Sequence, residues 1–95
     1  MKSKTVSGDL THLFDFGQRM PVGETLAEGG VLVEVLYGEE LSPTLTFALA
    51  RFDRQNLTYN FLGGTPGLVY RVWCSVKTTA NNIYNSSIVV SVIGD

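Results

Sequence analysis

Few side chains in this sequence have the type and spacing that catalysis or metal binding needs. His12 is the only histidine and Cys74 the only cysteine among 95 residues, so these ligands form no set with zinc-site spacing. A Ser/His/Asp hydrolase would need His12 at its centre, and its near-terminal setting argues against that role. The glycine pairs at 29–30 and 63–64 lack the lysine and the helix of a phosphate-binding loop. The sequence therefore predicts a protein that is not an enzyme and has no metal or cofactor.

Charge and composition argue against several classes of partner. The net charge of −2 offers neither the basic face that nucleic acids need nor a polybasic patch for a membrane. No stretch approaches the ~20 apolar residues that span a bilayer, and the N-terminal residues lack the apolar core of a secretory signal. A lone cysteine cannot form an intrachain disulfide, which is typical of assembly in a reducing cytoplasm. Cys74 is then either a buried small apolar side chain or a reactive thiol.

Alternating apolar residues predict the strands that position these side chains. A length of 95 residues favours one domain, and short strands separated by turn residues are typical of a β-sandwich. We predict an all-β fold, a single immunoglobulin-like antiparallel β-sandwich of about seven strands over residues 12–95, preceded by an N-terminal arm at residues 1–11. The predicted strands are Leu10–Phe16, one that begins near Thr25–Leu26 and bulges at Gly29–Gly30, Val31–Tyr37, Leu45–Phe52, Leu57–Leu62, Val69–Thr79 and Tyr84–Ile93.

The predicted strand Val69–Thr79 indicates which side chains face the core. Side chains of a strand alternate between its two faces. Its faces carry two different sets: Tyr70, Val72, Cys74 and Val76 on one, and Arg71, Trp73, Ser75 and Lys77 on the other. We predict that the first set is buried, because a shift by one residue would bury Arg71 and Lys77 without partners.

A corner rich in proline and glycine precedes this strand. Pro66 and Gly67 lie four and three residues before Tyr70. In immunoglobulin-like sandwiches, a tyrosine placed in this way forms a tyrosine corner, in which its hydroxyl bonds an upstream backbone group. We predict that Pro66, Gly67 and Tyr70 form such a structural corner and that the hydroxyl reaches the backbone of residues 63–65. A ligand-binding role is the functional alternative for Tyr70.

The outward face of the same strand is the candidate functional surface. Trp73 is either covered by a loop or lying flat on the sheet, or it is an anchor in a protein interface, where tryptophan and arginine are enriched. Alternation in Val31–Tyr37 places Tyr37 on the core side and both Leu32 and Leu36 on the outer side. Outward apolar side chains in this number suggest that a neighbouring protein covers one sheet. The predicted interface residues are Leu32, Leu36, Arg71, Trp73 and Lys77.

Four short motifs follow one another along the chain. They are Phe14-Asp15-Phe16, Gly23-Glu24-Thr25-Leu26, the corner Leu62-Gly63-Gly64-Thr65-Pro66-Gly67 with Tyr70-Arg71-Val72, and Thr78-Thr79 before a hydrophilic turn and a last strand rich in valine and isoleucine. Their order resembles a family of small bacteriophage virion proteins, the fibre–tail adaptor type with an immunoglobulin-like fold. The likeness covers roughly residues 12–93.

The resemblance implies a structural role in a tailed bacteriophage. The domain would be a non-enzymatic virion protein that binds other virion proteins at the neck or at the tail-fibre attachment site. Its partners would be the head–tail connector, the tail fibre or the major capsid protein, in multiple copies of a symmetric assembly, with no nucleic acid and no membrane. It would be made in the cytoplasm of the bacterial host.

Two alternative functions remain open at this point. The chain could be a capsid decoration, or cementing, protein on the head surface, because phages reuse immunoglobulin-like modules there. From another class, it could be a carbohydrate-binding sandwich in which Trp73, Tyr59 or Tyr84 stacks against a sugar ring.

Overall fold

The computed structural model describes residues 1–39 and 43–94, which contain seven β-strands and one short 3-10 helix. The strands are β1 (Lys2–Thr5), β2 (Leu10–Asp15), β3 (Leu26–Tyr37), β4 (Leu45–Phe52), β5 (Asn56–Gly63), β6 (Val69–Thr78) and β7 (Ile83–Ile93), and the 3-10 helix is Gly17–Arg19. The predicted all-β class is confirmed. The predicted turn Gly38–Pro43 lies partly outside the described residues. Within residues 1–39 and 43–94, no helix is long and apolar enough to cross a membrane.

The strands form two sheets that enclose one core. The four-stranded sheet has the order β1-β7-β6-β3, and the three-stranded sheet has the order β2-β5-β4. The second, fifth and fourth strands are thus grouped as B, E and D are in an immunoglobulin sandwich, and the third, sixth and seventh are grouped as C, F and G. The prediction of an antiparallel sandwich is wrong for one strand pair, because β1 runs parallel to β7.

The first residues of the chain belong to the sandwich and do not form the predicted arm at residues 1–11. Lys2–Thr5 pair with Val90–Ile93 of β7, and Leu10 already pairs with Phe61 of β5. Lys4 faces inward and is buried, and its ammonium group donates to the carbonyl oxygen of Gly63 at 2.6 Å. This bond links the first strand to the end of β5 in the opposite sheet.

Strand β3 is one continuous strand, whereas the sequence predicted two with a bulge at Gly29–Gly30. Its register against β6 shifts at Ala27 and again at Leu36, and both glycines pair regularly with β6. Since each shift moves the following side chain to the other face, Tyr37 is exposed and does not face the core as predicted. Leu36 lies at the second shift and is half-buried.

The inward face of β6 contributes the centre of the core, as its alternation predicts. All four predicted side chains are buried, and burying each large one stabilises the fold by about 1.5–3 kcal/mol before entropy is counted. Burial also raises the pKa of the Cys74 thiol to about 11. The thiol is therefore protonated at neutral pH and unreactive. The core consists of Phe14, Phe16, Met20, Leu26, Leu45, Leu57, Tyr59, Phe61, Tyr70, Val72, Cys74, Val76, Val90 and Val92.

The corner before β6 is held by the side chain of Tyr70. Tyr70 is fully buried, and its hydroxyl accepts a hydrogen bond from the backbone N–H of Thr65 at 2.9 Å. Gly67 N–H donates to the carbonyl oxygen of Val92 at 2.9 Å, and Val92 N–H donates to that of Leu68 at 3.1 Å. The corner is thus fixed both by its own tyrosine and by the last strand.

We expect Tyr70→Phe to lower the free energy of unfolding by about 1 kcal/mol, because the partly buried N–H of Thr65 loses the hydrogen bond to the hydroxyl. Tyr37→Phe is the matched control, since Tyr37 is exposed on β3 and should change stability by less than about 0.5 kcal/mol. Urea unfolding followed by circular dichroism measures both. Equal midpoints for the two variants would show that the hydroxyl does not hold the corner.

Candidate functional site

Strands β3 and β6 bring most of the predicted interface residues onto one outward surface. Leu32 pairs with Trp73, and Glu34 pairs with Arg71 in the next outward position. Lys77 lies four residues beyond Trp73 on the same side of β6. We call this surface the Trp73 face and define it by Leu32, Glu34, Arg71, Trp73 and Lys77.

The tryptophan of this face is partly exposed and held in place by two charged neighbours. Its indole N–H donates to Glu34 Oε1 at 2.9 Å, and the guanidinium of Arg71 lies 5.4 Å from the ring centroid. The Trp73 side chain keeps 38% of its surface exposed, and that of Leu32 keeps 66%. Because the ring is already oriented, little side-chain entropy remains to be lost when a partner covers it.

The lower part of the Trp73 face contains a shallow depression of about 260 Å³. It forms where Gly30 faces outward opposite Ser75 and has no side chain to fill the space. Lys77 and Ile83 line its far side. The face thus offers an apolar ridge at Leu32 and Trp73 next to a hollow with a charged rim.

Leu36, the fifth predicted interface residue, is less accessible than the sequence suggested. It lies at the register shift between Val35 and Tyr37 and is half-buried. Tyr37, which the sequence placed in the core, is the exposed aromatic at this end of β3, with 66% of its surface accessible. The outward apolar surface therefore ends at Tyr37 and not at Leu36.

Across residues 1–39 and 43–94, no group of three or more histidine, cysteine or acidic side chains could hold a metal ion. His12 packs edge-on against the ring of Phe14, with 4.7 Å between centroids. Partial burial, and then the charge of Lys2, lower the pKa of His12 and thereby favour its neutral form.

A family model described as podophage GP4 fiber-tail adaptor protein gp77 matches residues 4–91. The chain belongs to this family. The resemblance drawn from the four motifs is thereby confirmed. No curated protein matches the sequence.

Membership of the fibre-tail adaptor family makes the chain a structural protein of a phage virion. Such an adaptor binds other virion proteins, such as the tail fibre, and its family is not known as enzymatic. For an adaptor, the functional parts are surfaces, so the partly exposed and ordered Trp73 face becomes the first candidate for partner binding.

The three aromatic rings considered for sugar stacking differ in how far the fold covers them. Tyr59 is buried in the core. The ring of Tyr84 is covered on one side by the guanidinium of Arg19, 5.6 Å from its centroid, and that of Trp73 is covered by Arg71. A stacking platform needs an open ring face, and Tyr59 in particular cannot provide one.

Sequence reasoning missed a second apolar surface of the adaptor, on strand β4. Phe47, Leu49 and Phe52 lie on the side of β4 that faces the core, yet 45%, 51% and 41% of their surfaces are exposed. Their spacing of two and then three residues does not fit a regular strand. An apolar strand with broken alternation is the signal that could have drawn attention to it.

Proposed function

We propose that this fibre-tail adaptor is an immunoglobulin-like module that attaches the tail fibre to the virion tail through the Trp73 face. The observation that carries the proposal is the exposed pair Leu32 and Trp73 on neighbouring strands, with the indole hydrogen-bonded to Glu34 and its ring beside the guanidinium of Arg71. Buried tryptophan and arginine anchors dominate the binding energy of protein interfaces.

The charged side chains around the pair support this assignment. Lys77 flanks the apolar centre on β6, and Glu28 pairs with it on β3. An apolar centre with a charged rim is the usual composition of a specific but non-obligate interface. Multiple copies bound around the tail would fit the proposed attachment site, and synthesis in the host cytoplasm fits a buried thiol that needs no oxidation.

We expect Leu32→Glu to weaken binding of the chain to tail particles that lack it by at least about tenfold, which corresponds to 1.4 kcal/mol. Trp73→Ala should have an effect of similar size. The matched control is Leu13→Glu, because Leu13 is an exposed leucine in the middle of β2 on the outer face of the opposite sheet. Binding is measured by sedimentation of the particles with labelled chain.

The same assay separates the proposed role from its alternatives. If Leu32→Glu binds as the wild type does and Leu13→Glu does not bind, the interface lies on the three-stranded sheet and not on the Trp73 face. Saturable binding to heads that lack both fibres and tails would show that the chain acts as a capsid decoration protein. Circular dichroism of each variant confirms that the sandwich is intact before binding is compared.

A further inference from the structure

The apolar surface on β4 belongs geometrically to the core but has no cover among the described residues. Phe47 and Leu49 pair with Phe61 and Tyr59 of β5, which are both buried. Side chains opposite each other in a sheet point to the same face, so those of β4 also point towards the space between the sheets. They are nevertheless about half exposed.

A bulge keeps the third apolar side chain on this surface. The register between β4 and β5 shifts at Ala50, so that Phe52 pairs with the buried Leu57. Without the extra residue, regular alternation would turn Arg51 inward and Phe52 outward. The bulge therefore aligns three large apolar side chains along one side of the strand over about 17 Å.

Among residues 1–39 and 43–94, nothing covers this surface, because the four-stranded sheet ends before it reaches β4. Its last strand, β3, lies over β5: a Cβ atom built on Gly29 would be 3.2 Å from Leu57. The N–H of Leu26 donates to the carbonyl oxygen of Arg54, in the turn between β4 and β5. Strand β3 pairs on one side with β6 and is the edge of its sheet, so β4 extends one strand beyond that edge.

We propose that the edge of β3 accepts an extended segment of a partner protein of the virion as an additional strand, whose inward side chains cover Phe47, Leu49 and Phe52. The identity of the partner as a tail or fibre protein rests on the proposed adaptor function. An edge strand offers a row of backbone donors and acceptors to such a segment. The exposed inner face of β4 provides the apolar contacts that make the pairing specific in register.

The structure also indicates the chemistry of the segment. About six residues span the distance from Phe47 to Phe52, and alternate residues of the segment must be apolar to face β4. The outward residues lie beside Glu28 and Glu34, which face outward on β3, and opposite charges on neighbouring strands are favourable. The segment is thus apolar on one side and basic on the other.

A second copy of the chain fits this edge less well. Pairing of β3 with β3 of another copy would place the same glutamates of both copies on one face of a continuous sheet. Like charges on neighbouring strands are destabilising. The charge pattern therefore favours a basic segment of another protein over a symmetric dimer.

The test uses the full chain and a synthetic peptide of about seven residues with lysine and valine alternating. The control peptide has the same composition with its valines in one block. The chain variants are Leu49→Glu, on the apolar surface, and Ala48→Glu, which lies next to it on the outer side of the same strand. Binding and hydrogen exchange are followed by amide NMR.

We expect the alternating peptide to bind saturably, at least tenfold more tightly than the block peptide, and to protect amides of residues 31–35 from exchange. Leu49→Glu should weaken this binding at least tenfold, and Ala48→Glu should not. Absence of saturable binding, equal binding of both peptides, or equal binding by both variants would overturn the proposal. Dimerisation of the wild-type chain that Leu49→Glu abolishes would do the same, since a second copy would then be the occupant.

Binding to tail particles separates this proposal from the adaptor function. We expect Leu49→Glu to bind the particles at least tenfold more weakly than Ala48→Glu. If Leu49→Glu binds as wild type while Leu32→Glu does not, the strand-accepting edge is refuted and the adaptor function stands. If the wild-type chain does not bind particles but accepts the alternating peptide as described, the proposed attachment to the tail through the Trp73 face is refuted and the strand-accepting edge stands.

Discussion

Replacement of Val72 by aspartate is expected to abolish folding of the chain. Val72 is fully buried on β6, where it lies between Val33 of β3 and Ile88 of β7. An ionised carboxylate among these side chains would have neither a hydrogen-bond partner nor a counter-charge, and its burial costs many kcal/mol. A domain of this length is stable by only about 5–14 kcal/mol in total, so the variant should populate the unfolded state.

Ser75→Asp provides the control for this expectation. Ser75 lies on the same strand, three residues further along, and is exposed on the outer face. Its replacement should change stability by no more than about 0.5 kcal/mol. Thermal unfolding by circular dichroism and the yield of soluble protein measure both variants. A cooperative transition for Val72→Asp close to that of the wild type would refute the alternation on which the Trp73 face depends.

The success of the sequence reading at β6 has a physical reason. This strand pairs on both sides, with β3 and β7, and its register against β7 is regular along its length. Every second side chain therefore meets the same environment, so the side chains that alternate in the sequence are also alternately buried and exposed. The outward position of Trp73 followed from the same alternation.

The failures lie at the strands where the register shifts. Bulges at Leu36 and Ala50 move Tyr37 out of the core and bring Phe52 onto the inner side of β4. A bulge is a property of a strand pair and its register, which the sequence of either strand alone does not determine. The apolar surface of β4 could not be assigned to a face without knowledge of its pairing with β5.

Strand β1 was missed for a different reason. Its sequence is polar, and its place in the sheet is held by parallel pairing with β7 and by the inward ammonium group of Lys4. Hydrophobic alternation carries no information about such a strand.

The fold brings two of the short motifs, Gly23-Glu24-Thr25-Leu26 and Thr78-Thr79, into hydrogen-bonding contact. Glu24, in the motif before β3, is buried and accepts hydrogen bonds from the hydroxyl of Thr78 and from the side-chain amide of Asn82, the latter at 2.9 Å. Thr79 N–H donates to the carbonyl oxygen of Thr25 at 2.8 Å. Segments more than fifty residues apart in the sequence therefore form one polar cluster at the end of the four-stranded sheet.

At the Trp73 face, too, contacts across strands were not predictable. Alternation predicted that Leu32 and Trp73 point outward, but it did not indicate that the indole N–H would donate to Glu34 and be oriented by it. The register between β3 and β6 creates this contact. Site residues on a single strand were predictable, and their partners across strands were not.

The tyrosine corner provides the second large effect. We expect Gly64→Ala to lower the free energy of unfolding by about 2–5 kcal/mol, because two costs add at this position. The φ of Gly64 is +93°, and a left-handed backbone costs a residue with a Cβ atom about 1–2 kcal/mol. The new methyl group would also lie 2.7 Å from Cγ2 of the buried Val92, and such overpacking costs about 1–3 kcal/mol.

Two further glycines separate these costs. Gly67 has a φ of +85° but open space around a Cβ atom. Gly67→Ala should therefore lower the free energy of unfolding only by the cost of the left-handed backbone, about 1–2 kcal/mol. Gly30 has neither a positive φ nor a close neighbour, and Gly30→Ala should lie within about 0.5 kcal/mol of the wild type. In urea unfolding, the loss of unfolding free energy should therefore be largest for Gly64→Ala, smaller for Gly67→Ala and smallest for Gly30→Ala. Equal losses for Gly64 and Gly67 would mean that Val92 moves aside at little cost and that the corner is less tightly packed against the last strand than its geometry indicates.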